Sequence, residues 1–359
     1  MTNFDDFKFA VEALSGGRNT VILDDLGMPS VMVAFPRFFS SELSPNLAQT
    51  VHPAFFVKGE EQEVAYVSKF QNIVHAGRAY SLPLRDPSGC ISYDDAMKVS
   101  RAKGLGWGLI PATLWSAVAL WCKQNGTQPR GNNWNGRDYI HSQERGIVTY
   151  REGGKACRIA SGSGPVTWNH DGTPDGIADL YGNVSEWNAG IRLVRGEIQI
   201  IPQADVILPD TEMTESSTAW RAVRQDGALV DPGSDDTLKL DYQDGKWKIS
   251  KVIRDAVDDT RWGLFREMMY DQEELPGGIP QLLKELTLFP ADAEGYLEDY
   301  IYANNFQEER ICLRGGNWTS ANHGGVFYSA MDAKRNRVLP RLGFRSAYYS
   351  IKSKKRSDE

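Results

Sequence analysis

Cysteine and histidine are scarce in this chain, and their scarcity excludes much chemistry. Its 359 residues hold 4 Cys and 5 His. Cys90, Cys122, Cys157 and Cys312 show no CxxC spacing, so neighbouring cysteines build neither a zinc knuckle nor a dithiol redox motif. They read as four buried, reduced thiols, because free cysteine packs as a small hydrophobe. One disulfide is the alternative, with partners the sequence does not choose. His52, His75, His141, His170 and His323 are equally dispersed and make no metal-binding cluster. No Ser-His-Asp order can be defended either. A run of about 18 apolar residues, which a membrane-spanning helix requires, is missing. So is a basic excess: the formal net charge is −7, which argues against nucleic acid or an anionic membrane as partner. The opening MTNFDDFKFAVEALSGG is acidic and lacks the basic and long apolar parts of a signal peptide. Synthesis in the cytoplasm is expected, with any transfer to a virion or cell surface by lysis or another route.

What is present is enough apolar residue for a large core. Hydrophobic residues make up 41% of the chain and charged residues 24%, the balance of a globular protein. Phe4, Phe7, Val11 and Leu14 fall at helical spacing before Gly16-Gly17, and NTVILDD and SVMVAF read as two strands around a turn. Residues 1–50 therefore form a small N-terminal module, trimerising or docking onto a larger particle, or else an edge hairpin of the main domain. The module is the reading preferred here. A hairpin follows, turning near Lys58-Gly59. Ser92 caps a helix that ends near Gly104. Pro111 opens a second helix, with Leu114, Trp115, Val118, Trp121 and Cys122 on one face, closed by Asn125-Gly126. Residues 129–134, PRGNNW, read as a loop packed around Trp134. The stretch 196–299 behaves as an insertion, with a hairpin at Asp244-Gly245 and helices over 260–269 and 279–289. The end, 351–359, reads as a disordered, solvated tail.

Between 161 and 195 lies a compact polar group: Asp171, Asp175, Asp179, Asn183 and Glu186 among glycines. Calcium takes six to eight oxygen ligands, so Asp175, Asp179, Asn183 and Glu186 are candidate calcium ligands. Their spacing does not match the EF-hand loop. The preferred reading is that they satisfy buried amides and cap turns, with no cofactor and structural calcium as the alternative.

The most informative stretch is CLRGGNWTSANHGGVFYSAMDAKRNRVLPRLGFRSA, 312–347. RGGNW opens it and GFRSA closes it, and the run between has neither helical nor strand period throughout. Upstream stand WSAVALWCKQNGTQPRGNNWNGRD (115–138) and DGIADLYGNVSEWNAGIRL (175–193). These three motifs, in this order, resemble the C-type-lectin-fold proteins related to formylglycine-generating enzymes. More narrowly, they resemble the variable proteins diversified by retroelements, such as phage tropism determinants. The match covers roughly 52–195 and 300–350.

That resemblance implies an α+β, C-type lectin fold of the formylglycine-generating-enzyme subtype over 51–350, and a ligand-binding rather than catalytic role, the alternatives being an oxidoreductase of the same fold or a structural virion or cell-surface subunit with no variable ligand. The enzymes of this fold rely on cysteines just before GFR, and residues 328–341 contain none. It implies a phage- or prophage-encoded protein that binds a protein or glycan receptor through 317–341. The candidate variable residues are Asn317, Thr319, Ser320, Asn322, His323, Tyr328, Ala330, Asp332, Asn336, Arg337, Leu339 and Arg341. In that family substitutions arise at template adenines, and mutation at the adenines of AAY codons never yields Lys, Met, Trp, Gln or Glu, so with AAY template codons Trp318, Met331 and Lys334 fall to the scaffold. Trp115, Trp121, Trp187, Arg314, Gly315, Gly316, Gly343, Phe344 and Arg345 complete it. The expected surface presents Tyr328, His323, Asp332, Leu339 and Arg341 outward, with Tyr328 and Arg341 as the binding hot spots.

Overall fold

The computed structural model describes residues 3–351, and its chain is mixed α+β with far more strand than helix. The tail expected over 351–359 lies outside the described residues from 352 onward. Two sheets carry the architecture. The smaller, five-stranded sheet runs Asn19–Leu23, Pro29–Pro36, Val64–Ser68, Ser346–Tyr348, Trp107–Leu109. Its chemistry is a set of alternating β-branched and aromatic residues, with Val31, Val33 and Phe35 of the second strand all buried. The strand 346–348 seats Ala347 opposite both Val67 and Gly108, so the two ends of the described chain share one sheet. The N-terminal hairpin forms the edge of this sheet and is bonded to the body through Val33 opposite Val67 among other pairs.

The helix Asn3–Ser15 forms where the pattern placed it and stops at Gly16 and Gly17, both in the left-handed region. Only Phe7 and Val11 pack on the sheet's second small core. Leu14, expected on that face, points to solvent. The helix Tyr93–Arg101 is capped by Ser92, whose hydroxyl accepts from the Asp95 amide. Ala112–Gln124 follows Pro111, which supplies extended geometry at the cap, and ends where Gly126 turns left-handed. This helix is buried from Ala112 through Leu120 on every side, the pattern of an element enclosed by layers. Trp121 departs from the expected full burial: it is only partly covered, at the face where Phe35 and His170 meet it.

The larger sheet has twelve strands, with a central path Arg261–Leu264, Tyr300–Ala303, Gly325–Ala333, Arg310–Gly315, Ser185–Val194, Glu197–Ile200, Lys239–Gln243, Lys246–Ser250, Met269–Tyr270. Residues 196–299 therefore supply strands to both flanks of one continuous sheet. Tight turns at Lys58-Gly59 and Asp244-Gly245 have two left-handed residues each, the twist that two-residue hairpins favour. The helix expected over 260–269 is instead the edge strand Arg261–Leu264 followed by a short 3₁₀ turn. Pairing with Tyr300–Ala303 overrides local preference there. The helix expected over 279–289 shortens to Gln281–Glu285, with Leu283 and Leu286 buried. All four cysteines are free, but Cys90 is exposed, against the expectation of four buried thiols. Among the described residues no helix is long and apolar enough to cross a membrane.

Candidate ligand-binding surface

The sequence motifs meet at one buried junction. Glu186 and Arg345, 159 residues apart, are both inside the protein and form a two-pronged ion pair, Nε to Oε2 at 2.6 Å and Nη2 to Oε1 at 2.7 Å. Arg345 also donates to the carbonyls of Ser68 and Ala178, and Gln71 donates to Glu186. A buried pair is stable only when its spare donors and acceptors are used, as here. Trp187 and Phe344 pack into the main core beside it, and Trp187 donates to the Ile91 carbonyl at 2.9 Å. Gly343 has no room for a side chain: a Cβ would lie 2.6 Å from Val184.

The other end of the segment is framed the same way. Arg314 is fully buried and donates to the Leu286 carbonyl at 3.0 Å, leaving its Nε and Nη1 without partners. Trp115, from the central helix, donates to the Val326 carbonyl at 2.9 Å. Gly315 and Gly316 have φ of 83° and 74°, and a Cβ on Gly315 would sit 2.7 Å from the Leu180 carbonyl oxygen, so the turn admits only glycine. Trp318 is 4% exposed and packs with Cys157, Val184 and Tyr150.

The calcium candidates are tied up separately. Asp171 accepts from Thr173, Asp175 pairs with Arg18, and Asp179 accepts from Ser161 and Gly162. Asn183 bridges Gln71 and Ile159, and Glu186 is held by Arg345. Among the described residues no three His, Cys, Asp or Glu side chains gather as a metal group would.

Of the twelve candidate variable residues, the structure buries three, and one of them, Tyr328, was expected to point outward. Asn317 is buried: its amide donates to Ser185, and its oxygen accepts from the backbone and hydroxyl of Thr319. Ala330 lies between Leu313 and Tyr302 in the sheet. Tyr328 is 7% exposed, because Tyr302 lies against it at 5.7 Å and the 334–341 loop brings Arg337 and Arg341 near. It is a floor, not a protruding hot spot.

The remainder reach the surface. Thr319 and Asn336 are exposed; Ser320, Asn322, His323, Asp332, Arg337, Leu339 and Arg341 are half-buried. Asn322 donates to Glu298 at 2.7 Å. Asp332 accepts from Thr260 at 3.2 Å and pairs with Arg337 at 3.4 Å. His323 stacks on Tyr300 with centroids 3.9 Å apart, and Tyr300 stacks on Trp262 at 4.8 Å with the rings nearly parallel. Trp262, 53% exposed on an edge strand, ends this aromatic row. Residues 262, 300 and 302 were missed in the sequence. The alternation Tyr300-x-Tyr302 was the available signal, since it puts both rings on one strand face.

A cleft of about 480 Å³ opens beside the 317–324 loop, lined in part by Tyr181, Tyr296, Asp299, Asn322 and Gly324. Asp299 at its floor accepts the Phe327 amide at 2.8 Å while its second oxygen has no partner. Burial pushes this carboxyl up to about 7.

No family model matches the chain, and no curated protein matches it. Among solved structures it is similar to Major Tropism Determinant P3c Variant, at 8% identity and TM-score 0.32 over 92% of this chain and 71% of that one. It is also similar to Treponema denticola variable protein 1, at 11% identity and TM-score 0.30 over 92% of this chain and 99% of that one.

Proposed function

We propose that this chain is a ligand-binding protein whose recognition surface is the outer part of 319–341, extended by Trp262, Tyr300 and Tyr302. The observation that carries the reading is the division between frame and surface. Arg314–Trp318 and Gly343–Arg345 are buried and both are held by the strand Ser185–Val194, while Thr319, His323, Asp332, Asn336, Arg337 and Arg341 reach solvent between them. A surface whose fold does not depend on its own side chains tolerates exchange of those side chains. The motif resemblance supplies the finer proposal: a C-type-lectin frame of the formylglycine-generating-enzyme type, diversified by a retroelement, phage- or prophage-encoded, and displayed on a virion or cell surface to a protein or glycan receptor. A non-catalytic role agrees with Cys312, fully enclosed, where burial pushes the thiol up and so disfavours the reactive thiolate.

Sequencing the gene across a population tests the variable segment. Substitutions should concentrate at adenine-containing codons of the surface residues 319–341 and spare Trp318, Gly315 and Arg345. An invariant segment, or substitutions spread evenly over the frame, would refute diversification.

A further inference from the structure

The loop 134–146 holds a feature outside the surface just described. Trp134 and Arg137 face each other across a tight turn, with the Trp134 amide donating to the Arg137 carbonyl at 2.9 Å. Arg137 in turn faces Arg145 across an antiparallel bridge. Directly opposed residues of antiparallel strands share a face, so an indole and two guanidiniums stand in one lateral row. Arg151 joins them along a groove of about 280 Å³ that no Asp or Glu lines among the described residues.

This arrangement does not serve stability. Like charges directly opposite each other across strands are destabilising. Most arginines of the chain sit against a carboxylate, Arg158 on Asp86 and Arg335 on Glu309 for example. Arg137, Arg145 and Arg151 have no carboxylate partner among the described residues; Arg145 reaches only the Ser142 carbonyl and Arg151 only that of Gly154. Three guanidiniums left free around one groove match a tetrahedral oxyanion, which accepts their forked N–H groups in pairs. The adjoining indole offers a flat apolar face to a sugar ring.

We propose that this groove binds an acidic glycan through its sulfate or phosphate esters, with Trp134 against the ring. A nucleic acid fits less well: the row is short, and the net charge of −7 repels a long polyphosphate. The site is independent of whether 319–341 varies.

The full chain would be titrated calorimetrically with sulfated, phosphorylated and unmodified dextran oligosaccharides of equal length, inorganic sulfate, and a single-stranded oligonucleotide. The expected result is binding of the esterified oligosaccharides, weakening as salt rises, with none of the unmodified one; the two esters show which anion is preferred. Arg151→Ala should weaken binding at least about tenfold, the loss of a charge-assisted contact. Arg145→Glu should abolish it while melting at or above the wild-type temperature, because a cross-strand ion pair with Arg137 replaces repulsion. Arg151 is exposed, so its variant carries the test if Arg145→Glu does not fold. Absence of binding, equal binding of unmodified dextran, or binding indifferent to both variants would overturn the proposal. Inorganic sulfate binding as tightly as the oligosaccharides would reduce the groove to an anion site without a glycan, and preference for the oligonucleotide would make it a nucleic-acid surface; either overturns it.

Discussion

Trp318 and Tyr328 carry two large rings inward from the same segment, and the cost of removing each follows from what it touches. Trp318→Ala empties a satellite core and should destabilise by about 3–5 kcal/mol in denaturant titration. Tyr328→Ala should cost a similar ~3–5 kcal/mol, because the ring is packed under Tyr302, and any loss of binding would be secondary to that loss. Asp299 sets a different kind of test. Burial raises its folded carboxyl from an ordinary value near 3.8 to about 7. Between these values the native state holds a proton that the unfolded state has lost, so this residue makes stability fall as pH rises, by up to about 1.4 kcal/mol per unit. The effect is flat below 3.8 and again above 7. Asp299→Asn removes the titration, so the difference between variant and wild-type stability should grow in the variant's favour from pH 4 to pH 7. A constant difference over that range would show that Asp299 does not titrate there.

At the scale of elements, the strand 325–333 is fitted to Asp299 at its start, and Tyr300–Ala303, which carries two of the aromatic rings, pairs beside it. Gly325 has φ of 143°, and a Cβ there would lie 2.4 Å from an Asp299 oxygen. Gly325→Ala should therefore destabilise strongly, and Asp299→Ala in the same chain should recover part of the loss; simple additivity in the double-mutant cycle would deny the contact. Much at this scale was legible in the sequence. Pro111 and Asn125-Gly126 bound a helix, and Lys58-Gly59 and Asp244-Gly245 mark hairpins, because the signal and the structure it makes are neighbours in the chain. The strand at 261–264 was not legible, since its partner lies some forty residues on and nothing local announces it. The inward turn of Tyr328 was hidden for the same reason. Both faces of 325–333 are covered, one by the core and one by the returning 334–341 loop, and the alternation that tells inside from outside vanishes. The ends of the candidate surface were legible as glycines and arginines in fixed motifs, whereas Trp262 and Tyr300 reach it only through sheet pairing.

For the whole molecule, the decisive fact is that the two ends of the described chain close one sheet. Val67 pairs with Val33 on one side and Ala347 on the other, so the N-terminal hairpin flanks a strand to which the C-terminal strand is bonded. The helix 3–15 is attached far more lightly, through Phe7 and Val11, with Phe9 and Leu14 in solvent. Two truncations separate these roles. Removing residues 1–15 deletes little buried surface and should lower the melting temperature by only a few degrees, about 1 kcal/mol in a chain of this size, leaving a single cooperative transition. Removing 1–36 strips Val31, Met32, Val33 and Phe35 from the core and exposes the backbone of 64–68 as a new sheet edge, which invites strand pairing between chains. That chain should be insoluble or unfolded throughout, with the surface at 319–341 lost along with the distant hairpin, because Arg345 anchors that surface through the carbonyl of Ser68 in the same strand. A soluble, cooperatively folding 37–359 chain would show instead that the hairpin is a dispensable module after all.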